Sequence, residues 1–423
     1  MIRRLQVLHY RALKYKDIKL SNFHILVGPN ASGKSTFLDI INLIKDVLID
    51  NPHKAIENRA SRFDELLWKQ EGNKFEIAVE LKIPNDIKEK LKSNDFSLVR
   101  YEICLQLDDK KGVVIGGENL WLIKEGLIDT ENSGRKKVKQ LTLFPVEQEE
   151  PKYVVSPRKW TPAGWRKVIS KSAQGNDYFK SETTDWNITY KFGPLKASLA
   201  RVPEDEERFP VSIWIKNTLM EGIQFLQLNS SVMRWSCRPD LPVAFQPDGS
   251  NLPRVIQYLK KEHQESFSRW VKHIQTALPD IEGIEVKERP EDRFLYLNIK
   301  HKSGLKLPSW VISDGTLRLL AQTIIAYLPE KNRIYMIEEP ENGLHPLAIE
   351  SIFQSLSSVY ENQILLASHS PVILRLAEPK DILCFSKTAS GAVDIVRGEE
   401  HPRLKDWRKD VDLATLHAAG VLQ

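Results

Sequence analysis

Along the 423-residue chain the spacing of hydrophobic positions changes period several times, and each change marks an element. Residues 2–9 and 18–20 alternate, and Phe23-His24-Ile25-Leu26-Val27 is a nearly unbroken apolar run that stops at a glycine. Short runs of both kinds predict strands. From Lys34 the period lengthens, because Phe37, Leu38, Ile40, Ile41, Leu43, Ile44, Val47 and Leu48 share one broad helical face. A buried strand therefore runs through a tight loop into a buried helix. Residues 75–83 and 98–107 alternate again and predict more sheet.

Between about 108 and 207 the texture shifts to charge clusters, Gly-Gly and Ser-Gly steps and scattered tryptophans, which predicts an insertion. A helical period returns over 253–278, and 295–299 reads as a strand. The last third is regular: a helix over 314–328 stopped by Pro329, a buried strand over 333–337, a helix over 347–359 and a buried strand over 364–367. Alternating strands and helices predict a parallel sheet covered on both faces, hence the α/β class. No heptad pattern is sustained, so a long coiled-coil arm is not expected, and no internal repeat is found. The division this suggests is 1–107, 108–290 and 291–423.

Composition adds little and excludes some classes. Lysine plus arginine number 61 against 56 acidic residues, a formal charge of +5 that permits a polyanionic partner without arguing for one. Cys104, Cys237 and Cys384 are dispersed, which supports neither a disulfide framework nor a zinc site. No apolar run reaches the ~18 residues of a membrane helix and the first residues are polar, so a cytoplasmic protein with no membrane partner is expected.

The chemistry concentrates at three places. Residues 28–36, Gly28-Pro29-Asn30-Ala31-Ser32-Gly33-Lys34-Ser35-Thr36, satisfy the phosphate-loop pattern, with a strand before and a helix after as the motif requires. Glycines let the backbone curl its amides toward phosphate oxygens, Lys34 reaches the β- and γ-phosphates, and the Ser35 hydroxyl can ligate Mg²⁺. The strand ending at residue 337 runs into Glu338-Glu339-Pro340. Glu338 is assigned to the metal and Glu339 to the base that orients or deprotonates the attacking water. Taken alone, the pair also reads as two solvated carboxylates ahead of a turn. The second buried strand ends at Ser368-His369-Ser370, where His369 can sense or polarise the γ-phosphate, or serve a purely structural end. Ser313-Asp314-Gly315-Thr316 puts a serine at a helix N-cap, which suits an anion and equally an ordinary cap.

The order GPNASGKST, ISDGTLR, IYMIEEPENGLHP and LLASHSP resembles the ABC-type ATPase head shared by SMC proteins, DNA-repair ATPases and the OLD-like ATPases of bacterial defence. The likeness is to the OLD-like branch most of all. Glu338 to Glu341 read EEPE ahead of His345-Pro346, and DGSNLPRVIQYL at 248–259 and the terminal DVDLATLHAAGVL look like that branch too.

The resemblance implies a head with a parallel sheet bearing the phosphate loop, a lobe of antiparallel strands and a large central α+β insertion. It implies ATP and Mg²⁺ as cofactors, catalysis by Lys34, Glu339 and His369, and metal ligation by Ser35, Glu338 and a glutamine, Gln227 or Gln224. Ser313 with Gly315 would act in trans, so that two heads sandwich two nucleotides in a homodimer open to further assembly. Glu341, Asn342 and Gly343 match the loop that crosses this interface, and Arg11 resembles a phosphate-contacting basic residue. The chain departs from the pattern at Asp314, where a glycine is usual, and at Glu338, where an aspartate is usual.

An OLD protein carries a Toprim nuclease after its ATPase. Only about fifty residues follow His369, short of a typical domain, so a separate effector, nuclease or toxin, is the expected partner in anti-phage defence. The alternatives are an ABC-transporter nucleotide-binding subunit and a DNA-repair or SMC-type tethering head. Arg135 to Lys139, and Arg158-Lys159-Trp160 through Trp165-Arg166-Lys167, mix cations with indoles and suit nucleic acid or a solvated loop.

Overall fold

The computed structural model describes residues 1–91, 93, 95–124, 144–157, 161–173, 175–402, 404 and 413–418. At its centre lies a six-stranded sheet, ordered Ile223–Leu226, Ile334–Glu338, Gln363–Ala367, Phe23–Val27, Ile382–Lys387 and Val393–Arg397. The first five strands are parallel and the last is antiparallel. Alternate residues of the inner strands enter two different cores. Leu26, Met336 and Leu365 pack with the helices Lys34–Ile49 and Pro210–Met220, while Ile25, Val27, Tyr335, Ile337, Ile364 and Leu366 pack with Leu252–Glu262, Gln264–Ala277, Asp314–Thr323 and Pro346–Ser357. Both faces being covered is why these strands read as continuous apolar runs.

The first core is shared with an eight-stranded antiparallel sheet, ordered Leu13–Lys19, Ile2–Tyr10, Lys74–Lys82, Phe96–Asp108, Gly112–Lys124, Trp165–Lys171, Asp177–Lys180 and Asn187–Tyr190. A small third sheet, Ile281–Glu288, Leu295–His301 and Lys306–Pro308, belongs to the second core.

The expected divisions fall among paired strands. The boundary at 107/108 falls in the hairpin that joins Phe96–Asp108 to Gly112–Lys124, so residues 112–190 continue the antiparallel sheet. The boundary at 290/291 likewise falls between two paired strands. The helix expected over 253–278 breaks at His263, whose φ of −135° and ψ of 54° are not helical. The polar stretch 260–265 offers no apolar side chain to carry one stripe through. The helix expected over 314–328 passes into a 3₁₀ turn at Ile324–Tyr327.

Buried charges hold a strap across the antiparallel sheet. Arg100, a buried side chain, donates to Glu80, Glu102 and Gln6, and to the carbonyl of Val154. Glu102 also receives Asn119, Trp121 Nε1, and the amide and hydroxyl of Ser156. Glu76 receives the amides of Val154 and Val155, and Asp394, paired with Lys16 at 2.6 Å, receives Val146 N. The segment 146–156 is thus fastened by carboxylates that would be costly to bury without these donors.

Residues 135–139 and 158–160 lie outside the described residues. In the remainder of that stretch the aromatic and cationic groups are engaged within the fold. Lys167 Nζ sits 4.3 Å from the Trp121 ring centroid, Trp165 packs edge-on against Trp121 at 5.7 Å, and Arg166 donates to Ser181 O and Thr184 O.

Candidate functional site

The phosphate loop begins where Phe23–Val27 ends. Its curl needs positive φ at Gly28 (150°), Ala31 (60°) and Gly33 (100°). At two of these a side chain is also excluded by space. A Cβ on Gly28 would lie 2.3 Å from Phe385 O, and one on Gly33 would lie 2.6 Å from Val393 Cγ2. The walls of the loop are therefore the last two strands of the sheet, which the hydrophobic pattern alone did not reveal. Helix Lys34–Ile49 starts with no side-chain cap and no acidic residue in its first turn, leaving its positive end for an anion.

Lys34 is buried, and its Nζ donates to Gly28 O and Pro29 O at 2.8 Å each. Burial pulls its pKa below the ordinary lysine value, and the carboxylates of Glu338 and Glu339 oppose that. Ser32 Oγ is buried without a hydrogen-bond partner.

Strand register sets the rest of the site level with the loop. Glu338 pairs with Ala367, and Ala367 with Leu26, which puts the acidic strand end two strand spacings, roughly 10 Å, from the strand that feeds the loop. Glu339 donates its amide to Ala367 O at 2.8 Å and has a φ of 47°, a left-handed conformation that costs a residue with a Cβ of order 1–3 kcal/mol. Its exposed carboxylate accepts from Asn342 Nδ2 at 2.6 Å. Between these strands, His369 follows Gln363–Ala367. Burial and then Lys34 lower its pKa, while Glu341 and Glu339 oppose the shift.

The structure thus brings Lys34, Glu338, Glu339 and His369 to one end of the parallel strands, together with Ser35 and Thr36 on the helix. Gln227 joins that end, since it follows Leu226, the partner of Ile337. Gln224 does not, being buried within the strand opposite Tyr335.

Ser313 and Gly315 are grouped with a different loop. Ser313 is the exposed N-cap of Asp314–Thr323, accepting from Thr316 N at 3.2 Å. A Cβ on Gly315 would lie 3.1 Å from Gly343 O. Asp314, which replaces the usual glycine, forms an ion pair with Arg234. Large apolar side chains stand open just ahead of this cap, with Trp310 50% and Val311 56% exposed.

Arg11 is directed to the side of the loop helix. Its guanidinium is 3.3 Å from Asp39, which also binds Tyr10 Oη and Arg59, and it donates to Arg59 O at 3.2 Å.

The donor set suits a hard cation. A hydroxyl from Ser35, a carboxylate from Glu338 and an amide oxygen from Gln227 are the ligand types magnesium takes. Among the described residues no group of three His, Cys, Asp or Glu could hold a metal, so the remaining ligands would come from phosphate and water.

Comparison with known proteins bears on the family and the fold. Residues 23–103 and 194–375 match the family described as "AAA domain, putative AbiEii toxin, Type IV TA system". The Old nuclease of Escherichia phage P2 is 25% identical over an alignment covering 34% of this chain and 32% of that protein, so the chain spans about a third of that relative's length. Among solved structures, the Smc head bound to the C-winged-helix domain of ScpA aligns over 93% of this chain and 96% of its own, with a TM-score of 0.52 at 15% identity. The SMC head domain from Thermotoga maritima aligns over 94% and 98% with a TM-score of 0.41 at 10% identity. The fold is that of an ABC-ATPase head.

Proposed function

The chain belongs to the AAA-domain family that its two matched segments define, as an SMC-like and OLD-like ATPase, and on that premise we propose that it binds ATP with Mg²⁺ and hydrolyses it between two copies of itself. The observation that carries this reading is the levelling of Lys34, Glu338, Glu339 and His369 at the carboxyl ends of adjacent parallel strands, where ligands of such sheets sit.

In the proposed reaction Lys34 exchanges its two loop carbonyls for β- and γ-phosphate oxygens. Ser35, Glu338 and Gln227 would hold Mg²⁺, which would offset phosphate charge. Glu339 orients a water and takes its proton, and His369 donates toward the γ-phosphate. Its neighbour Lys34 supplies positive charge there, so the histidine need not be protonated to assist. Ser313 and Gly315 of a second copy complete the site from the other side, and the exposed Trp310 and Val311 are covered as the two heads close. Arg11 acts through Asp39 on the loop helix.

Hydrolysis removes the γ-phosphate that joins the copies. We assign the resulting opening to control of a separate effector, a nuclease or toxin, in anti-phage defence. Support comes from the family description and the likeness to the Old nuclease. No helix among the described residues is long and apolar enough to cross a membrane.

Lys34→Ala tests the nucleotide reading. It removes a charge-assisted contact and is expected to weaken ATP binding roughly 10- to 100-fold, measured by equilibrium titration with a fluorescent ATP analogue and Mg²⁺. Equal affinity of parent and variant would overturn the reading.

A further inference from the structure

Glu341 stands in the loop that the resemblance sends across to a second copy, yet its carboxylate turns inward. Oε1 accepts from Ser368 Oγ at 2.8 Å and from His369 N at 3.0 Å. Ser368 Oγ in turn accepts from Ser370 N at 3.0 Å, so the turn 368–370 is gathered around a single carboxylate oxygen. Oε2 is buried and has no hydrogen-bond partner. A carboxylate left half satisfied away from water costs stability, so stability alone does not account for its place. The loop that carries it runs close to the helix Asp314–Thr323, where a Cβ on Gly315 would lie 3.1 Å from Gly343 O. Such closeness suits a strut.

We infer that Glu341 is a positioning residue that sets His369 in place for ATP hydrolysis. The inference rests on the ATPase reading above. Glu341 makes no contact with nucleotide in this account, and its whole effect on turnover passes through the histidine.

The test is a double-mutant cycle on the full chain, reading steady-state hydrolysis and equilibrium ATP binding for Glu341→Ala, Glu341→Gln, His369→Ala and the double variant Glu341→Ala with His369→Ala. Glu341→Ala is expected to lower kcat about tenfold or more with ATP affinity unchanged, because a displaced hydrogen-bond donor forfeits part of its stabilisation of the transition state. Glu341→Gln keeps an acceptor oxygen for both donors and should recover most of the loss. In the His369→Ala background, Glu341→Ala should add nothing, as two residues acting through one group are not additive.

Effects that multiply, parent-like turnover in Glu341→Ala, or a loss of ATP affinity as large as the loss of turnover would each overturn the inference. Should Glu341→Ala fail to fold, Glu341→Asp carries the same cycle, since a side chain one methylene shorter cannot reach both donors. A parent chain that does not hydrolyse ATP removes the ATPase reading itself, whereas His369→Ala with parent turnover leaves that reading standing and overturns the histidine's role and the strut with it. A slow His369→Ala beside a parent-like Glu341→Ala removes only the strut.

Discussion

Glu339→Gln is expected to lower ATP turnover by roughly 10²- to 10⁴-fold, the usual worth of a general base, while ATP stays bound. Glutamine keeps the size of the side chain and its acceptor for Asn342 Nδ2, and the backbone is held independently by the bond from Glu339 N to Ala367 O. What disappears is the ability to take a proton from water. With hydrolysis stopped, the closed form should accumulate, and analytical ultracentrifugation with ATP and Mg²⁺ should show the variant as a dimer. Parent-like hydrolysis would return Glu339 to the status of a solvated carboxylate before a turn.

The second large effect concerns stability. Glu102 has no exposed surface and receives Arg100, Asn119, Trp121 and both donors of Ser156. Glu102→Ala leaves Arg100 with less of its compensating charge and strands four neutral donors. Breaking one partner out of a buried ionic network typically costs about 3–5 kcal/mol, and at the ~2–4 °C per kcal/mol of a large domain the melting temperature should fall by about 6–20 °C. Calorimetry checks this directly, and a shift within about 2 °C, the effect of less than ~1 kcal/mol in a domain of this size, would show that the strap contributes little.

Buried charge also decides which parts of the fold the hydrophobic pattern makes legible. The parallel sheet was legible because both of its faces are covered, so period and apolarity agree from Phe23–Val27 through Gln363–Ala367. The phosphate loop was legible because its glycines and lysine keep fixed spacing between a strand and a helix. Residues 112–190 were not, because Glu118, Asn119, Lys171, Asp177 and Glu182 are buried there and read as surface. Each has its own partners, as when Glu118 receives Tyr101 Oη and the amides of Ser198 and Leu199, and Glu182 receives the amides of Val211 and Ser212. Charge predicts exposure only when no donor is waiting inside.

Within the site, Lys34, Glu338, Glu339 and His369 converge as their positions after strands imply. Glu341 shows the limit of reasoning by motif order. Placed by resemblance in a loop between two copies, it also faces Ser368 and His369 of its own chain, a direction that the register of two adjacent strands with the turns beyond them reveals.

The central claim is that two copies share each ATP, Lys34 from one and Ser313 from the other. Mixing two inactive variants, Lys34→Ala and Ser313→Arg, tests it most directly. A mixed dimer regains one site with both residues intact, so an equimolar mixture should recover roughly a quarter of parent ATPase activity under random pairing into symmetric dimers. If the mixture stays as inactive as its components while each variant still folds and the mixed dimer forms with ATP, the shared site does not exist.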